Sequence, residues 1–191
     1  MLPTRLTLTL PGWVRDLDPP ARLAHLTDRM ELVLDLATQN VDLCGGGPFA
    51  AAVFERESGR LVSVGVNRVV PENCSLAHAE VLAIGLAQAS LGTCDLGGPT
   101  MPRLQLVSSS QMCAMCLGAV VWSGVSEVVY ATTAGDVIAT VGFDEGPPPL
   151  DYSQQLVNRG IAVIPGVMRD EGLAVLRGYI ASGGVVYNAH H

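Results

Sequence analysis

His78-Ala79-Glu80 is followed further along the chain by Cys113-Ala114-Met115-Cys116, and any fold this sequence adopts has to bring these two short motifs to one point. One imidazole and two thiols make three ligands for zinc. Three protein ligands leave the fourth tetrahedral position to water, which separates a catalytic zinc site from a structural one. Glu80 is then a surplus carboxylate beside the metal. Zinc brings the pKa of bound water from ~15.7 down to about 7, and a neighbouring carboxylate can carry that proton to a substrate and back.

The surroundings of each motif constrain the fold further. Ser75-Leu76-Ala77 leads into an Ala/Leu-rich stretch running to Leu91, read as a helix beginning near His78. Arg103 to Val107 reads as a short strand, three serines follow, and Cys113 opens a second apolar helix running to about Trp122. Both ligand groups therefore fall at helix N-termini, where the dipole and the free N–H groups favour anions and lower thiol pKa values. Cys-x-x-Cys also occurs in redox motifs and in half of a structural zinc knuckle, and these readings stay open. Against them, Cys44, Cys74 and Cys94 are isolated and show no ligand-type pairing, and the Cys113/Cys116 pair sits past the middle of the chain.

Elsewhere, residues 1–20 alternate Thr and Leu, then carry prolines, and read as an N-terminal arm. Ala21 to Val41 has helical spacing, ended by Gly45-Gly46-Gly47. Phe49 to Arg56 and Leu61 to Val66, around Glu57-Ser58-Gly59-Arg60, read as a β-hairpin. After the two zinc helices come a strand near Ser126 to Ala131, a short helix Asp136 to Val141 and the glycine- and proline-rich Gly142 to Pro149. A helix Tyr152 to Asn158, a strand Ile161 to Ile164 and a last helix Asp170 to Ser182 complete the chain. This alternation implies a mixed sheet with helices on both faces, and such folds place ligands at the carboxyl ends of strands. A length of 191 residues suits one domain, 1–191, in which the segment from about 142 to 191 is a lid and tail region.

Composition narrows the function. A net charge of −7, with eleven arginines spread singly and no lysine, argues against a nucleic-acid partner and excludes a Schiff-base or phosphate-binding lysine. Five cysteines, two of them needed as thiolates, fit a reducing compartment, and no apolar stretch approaches membrane-spanning length; the expectation is a cytoplasmic protein that meets no membrane. A mean hydropathy of +0.36 is high for a monomer and points to apolar surface held in a subunit interface, most simply a homodimer.

His78-Ala79-Glu80 with the later Cys113/Cys116 pair resembles the signature of the zinc-dependent, cytidine-deaminase-like superfamily. On a wider reading, Gly45 to Val53, Asn67 to Pro71, Cys116 to Gly124, Gly142 to Pro147 and Val186 to Ala189 resemble successive motifs of bacterial guanine deaminases. The resemblance implies a three-layer α/β/α fold around a mixed five-stranded sheet, with C-terminal segments often exchanged between subunits of a dimer. It implies a hydrolase acting on the C–N bond of a cyclic amidine, taking guanine to xanthine and ammonia, with Zn2+ on His78, Cys113 and Cys116. Glu80 would shuttle protons and Glu145 would be a second relay; from pattern alone the pair Asp144-Glu145 reads as a solvated loop. Phe49, by pattern a core strand residue, would stack on the base opposite the His78 ring. Asn67 would hydrogen-bond it, and Ala79, Ser110 and Tyr187 complete the substrate-contacting set. Trp122 and Tyr187 read by pattern as core or interface aromatics, although the tail around Tyr187 and Asn188 is expected to close over the pocket.

One departure stands out. Where the family usually has Glu-Pro before the first zinc cysteine, this chain has Gln111-Met112. That exchange leaves the reaction class intact and keeps ammeline and other triazines, isoguanine, cytosine analogues and guanosine open beside guanine. Further alternatives are a silent, zinc-binding regulatory homologue and, against the charge, nucleic-acid editing. His190-His191 is either native or an addition.

Overall fold

The computed structural model describes residues 2–146 and 151–188. Helix α1 (Leu26–Asp42) precedes the hairpin β1 (Ala50–Glu55) and β2 (Leu61–Val66). Then come α2 (Ala79–Leu91), β3 (Leu104–Ser110), α3 (Ala114–Ser123), β4 (Glu127–Thr132), α4 (Ala134–Thr140), α5 (Tyr152–Val157), β5 (Ala162–Pro165) and α6 (Arg169–Ala181). The strands form one five-stranded sheet in the order β2-β1-β3-β4-β5. β1 runs antiparallel to β2 and β3, whereas β3, β4 and β5 are parallel, so the sheet is mixed.

Alternation along β1 divides the core. Ala51 and Val53 face one layer, formed with Ala83 and Ala87 of α2, Cys116 and Val120 of α3, and Leu156 of α5. Ala50, Ala52 and Phe54 face the other, against Met30, Val33 and Ala37 of α1, with Val175 of α6 packed beside them. The result is the three-layer α/β/α arrangement expected from the sequence. Small residues on β1 and α2 let the backbones approach. At Gly65 of β2, a Cβ would collide with the Ala79 carbonyl and the Ala83 nitrogen, so glycine is required for the first turn of α2 to lie on the sheet.

The two largest differences from the sequence reading lie at the start of α1 and the end of β3. The first helix begins at Leu26, because residues 21–23 are used elsewhere: the Leu61 N–H donates to Ala21 O, and the Leu23 N–H donates to Gly59 O at the hairpin turn. The three serines expected to follow β3 belong to it. Ser108, Ser109 and Ser110 are buried, with Ser108 and Ser110 in register with Tyr130 and Thr132 of β4. Trp122 is no core residue; it is 86% exposed at the end of α3. In the N-terminal arm, Leu10, Trp13 and Leu17 pack on the layer containing α1. Ala189, His190, His191 and the proline run of the 142–149 segment lie outside the described residues.

Candidate active site

β3 and β4 are parallel, and α3 follows β3 directly, so the carboxyl end of β3 delivers Gln111-Met112-Cys113 to the edge of the sheet where α2 begins. His78 and Cys113 each occupy the N-cap position of their helix in extended conformation, and Cys116 lies one turn into α3. The His78 Nδ1 atom is 3.6 Å from Cys113 Sγ and 3.5 Å from Cys116 Sγ, and the three ligand atoms lie within 4.8 Å of one another. A tetrahedral zinc with Zn–S of ~2.3 Å and Zn–N of ~2.0 Å places nitrogen and sulfur roughly 3.5 Å apart. The donor set therefore fits zinc both in chemistry and in spacing.

Glu80, one residue into α2, is buried beneath this cluster. Ser108 Oγ donates to its Oε1 at 3.1 Å, and its Oε2 lies 3.4 Å from Cys116 Sγ. Burial pushes its carboxyl up, opposed by His78. Glu145, on the segment after α4, has its carboxyl pushed up to about 8 by burial and by the neighbouring Cys113 and Glu80. The Cys113 thiol is drawn down to about 4 by the Cys116 thiol, which donates to it, with His78 adding to the effect. Cys116 is raised as the partner that keeps the shared proton. At His78, burial alone would lower the imidazole, but Cys113, Glu80 and Glu145 outweigh it and the net shift is upward. One thiolate and two carboxyls thus converge on a single imidazole. A bound dication offsets that concentration of negative potential.

Phe49, Asn67, His78, Glu80, Ser110, Gln111, Cys113 and Glu145 line one recess. It opens into a cavity of about 180 Å³ that adds Val70, Phe143, Tyr179, Val185, Tyr187 and Asn188. The fold therefore brings the expected metal ligands, both glutamates, Phe49, Asn67, Ser110 and Tyr187 to one place. Ala79 is different: its side chain is fully buried and lines neither space. Ser110 is held through its hydroxyl, 2.7 Å from that of Thr132.

Asn67 is positioned by the end of α1. Asn40 Nδ2 donates to the carbonyls of Gly47 and Asn67, at 2.9 and 3.0 Å, while Asn67 Oδ1 accepts from the N–H groups of Gly47 and Val69. Gly46 adopts φ +151° against the Asn67 carbonyl, a conformation and an approach open only to glycine. Two aromatic residues were missed in the sequence. The Phe143 ring lies 5.3 Å from that of Phe49 and 6.1 Å from that of Tyr179, forming an aromatic wall. An aromatic residue inside a glycine- and proline-rich loop was the available signal for Phe143; Tyr179 has none, because it keeps helical spacing. The tail is tied to the same loop: Asp144 N–H donates to Asn188 Oδ1 at 2.7 Å, and Asn188 Nδ2 donates to Gly142 O at 3.0 Å.

Residues 25–132 match the family described as the cytidine and deoxycytidylate deaminase zinc-binding region. The chain belongs to this family of zinc-binding deaminases. A solved structure of guanine deaminase from Nitrosomonas europaea is similar at 47% identity and a TM-score of 0.89, covering 95% of this chain and 99% of that one. A structure in complex with 2,6-diaminopurine has 48% identity and a TM-score of 0.89, with 97% of both chains covered. The guanine deaminase of Bacillus subtilis (strain 168) is 35% identical over 116 residues, 61% of this chain and 69% of that protein. With this family, the cleft is that of a C–N hydrolase, a nucleobase deaminase.

Proposed function

We propose that the chain hydrolyses free guanine to xanthine and ammonia, with zinc on His78 Nδ1, Cys113 Sγ and Cys116 Sγ. The observation that carries this reading is a buried carboxylate, Glu80, held against the Cys116 ligand inside a recess that also presents Phe49, Asn67 and Glu145. Likeness to one guanine deaminase across 95% of the chain and to another across 61% of it supports guanine as the substrate.

Bound there, zinc would supply the Lewis acidity that makes water a nucleophile at neutral pH. Phe49 and the Phe143 wall would hold the purine plane, and the Asn67 amide would donate to an acceptor on its edge. Glu80, held by Ser108, would take a proton from the attacking water and deliver it to the ring nitrogen beside the amine-bearing carbon. Oxygen bonds to that carbon, the C–N bond breaks, and the second water proton leaves with the amine as ammonia. Glu145 would act in that last transfer, since it lines the same recess as Glu80 and Cys113.

We further infer a single catalytic unit over residues 1–191 that works as a cytoplasmic homodimer. Exposed Trp122, Leu86, Val70 and Val185 provide apolar surface for association, the thiol ligands need a reducing compartment, and among the described residues no helix is long and apolar enough to cross a membrane. The charge of −7 supports a small-molecule substrate over a nucleic acid. Tyr187 and Asn188 support the role of the tail as a cover for the pocket. Ammonia release measured across guanine, isoguanine, ammeline, cytosine, adenine and guanosine tests the assignment. Guanine should give the highest kcat/KM; zinc-loaded protein silent on all six would remove the reading in favour of a regulatory homologue.

A further inference from the structure

Gln111 sits in the wall of the recess between Ser110 and the ligand Cys113, and its orientation is not free. Its backbone N–H donates to Thr132 O at 2.7 Å, and its side-chain Oε1 accepts the Ala134 N–H at 3.1 Å. Ala134 is the first residue of α4, a helix fixed by a reciprocal cap between Thr133 and Asp136. The donor on which Oε1 rests is therefore itself anchored. A backbone N–H can only donate, so it assigns the oxygen of the carboxamide and leaves Nε2 as the free donor of a side chain that lines the recess. No protein partner for Nε2 is found among the described residues.

Asn67, across the recess, is fixed in the same sense, with its oxygen on two backbone N–H groups. Two carboxamides whose oxygens are taken by backbone N–H groups, and whose amino groups are left as donors, thus line the same recess as the carboxyls of Glu80 and Glu145. We propose that Gln111 is a specificity-determining residue: its locked amide admits substrates that offer a carbonyl oxygen or an unprotonated ring nitrogen at that edge and rejects those that offer an N–H or C–H there. A substrate group that excludes water from Nε2 without accepting from it loses the bond and keeps the cost of desolvating the donor. The inference rests on the guanine reading for its reference ligand only.

Guanine has three acceptors on its periphery: O6, N3 and N7. The test is a cycle between residue and ligand, measured as Kd by calorimetry on zinc-loaded protein and as KM where turnover occurs. Guanine is compared with 6-thioguanine, 3-deazaguanine and 7-deazaguanine, which respectively weaken the acceptor at position 6 and remove those at positions 3 and 7, in the wild type and in Gln111→Met, a near-isosteric side chain without a donor. One analogue should bind the wild type on the order of 10-fold or more weaker than guanine, yet bind Gln111→Met within about threefold of guanine. The other two should show equal losses in both proteins.

A second variant separates specificity from a merely structural role. Ala134→Pro deletes the locking N–H at the first helical position, where proline is tolerated. It should retain guanine turnover and shrink the penalty of the same analogue, because the carboxamide can then turn over. Additive losses for all three analogues, or an unchanged penalty in Ala134→Pro, overturn the proposal. If the wild type binds guanine without releasing ammonia while the cycle still couples, the activity reading fails and the role of Gln111 stands; if guanine does not bind, both fall.

Discussion

Replacing Glu80 by glutamine isolates the proton-carrying step from metal binding. The carboxyl accepts the Ser108 hydroxyl on Oε1, a bond that a carboxamide oxygen retains, and the side chain is 6% exposed, so glutamine fits the same space. What changes is the Oε2 side, which lies 3.4 Å from Cys116 Sγ. An amide NH2 there neither accepts nor carries a proton. Loss of a general acid–base group lowers turnover by ~10²–10⁴-fold, or about 3–5 kcal/mol on the barrier at 1.36 kcal/mol per decade. The loss should appear in kcat with little change in guanine Kd, since Phe49 and Asn67 remain. Zinc content by mass spectrometry should stay at the wild-type level, because His78 Nδ1 and both thiols are untouched. Melting should not fall either, as a buried carboxylate is being replaced by a neutral group of equal shape. Turnover within about threefold of the wild type would refute the assignment of Glu80 as proton carrier. Loss of zinc together with activity would show that the carboxylate instead holds the metal.

The remaining predictions probe how the fold holds the site. Gly65→Ala puts a methyl into the first turn of α2, so it should lower zinc stoichiometry and melting together, by about 1–3 kcal/mol of stability, where the same change at open Gly178 should not reduce zinc. Arg29→Met breaks the buried chain from Arg29 through Gln105 to Glu127 at the far end of the sheet; urea unfolding should show a loss of about 2–4 kcal/mol with KM for guanine unchanged. Arg169, as hydrogen-bond donor, holds the Asp136 carboxyl down to about 2 from the ordinary 3.8. A carboxyl more acidic in the folded chain stabilises it above its ordinary value and loses that contribution as pH falls toward 2, so Asp136→Asn should flatten melting temperature against pH between those values. Asn188→Ala unties the tail from Gly142 and Asp144, and KM should rise several-fold with zinc content unchanged.

How much of this was legible in the sequence follows from the range of the interactions involved. The two zinc helices, the hairpin and the alternation of strands and helices are written in local periodicity, and the ligands announce themselves because few arrangements besides metal binding place His-x-Glu and Cys-x-x-Cys at helix starts. The sequence reading ends the strand at Val107 and leaves Ser108 to Ser110 outside it; in the fold their hydroxyls are absorbed by Glu80, the Ala50 N–H and Thr132, partners distant in sequence. The start of α1 was misplaced for the same reason, since residues 21–23 gain their hydrogen bonds from the hairpin rather than from the following turn. Gln111 shows the limit most clearly. Its identity was visible as a departure, but which of its two amide atoms is left free depends on the Ala134 N–H, a group that no side-chain pattern encodes. A residue type fixes what a side chain can offer; the backbone groups gathered around it by the fold decide what it does offer, and at this site that distinction separates a donor from an acceptor.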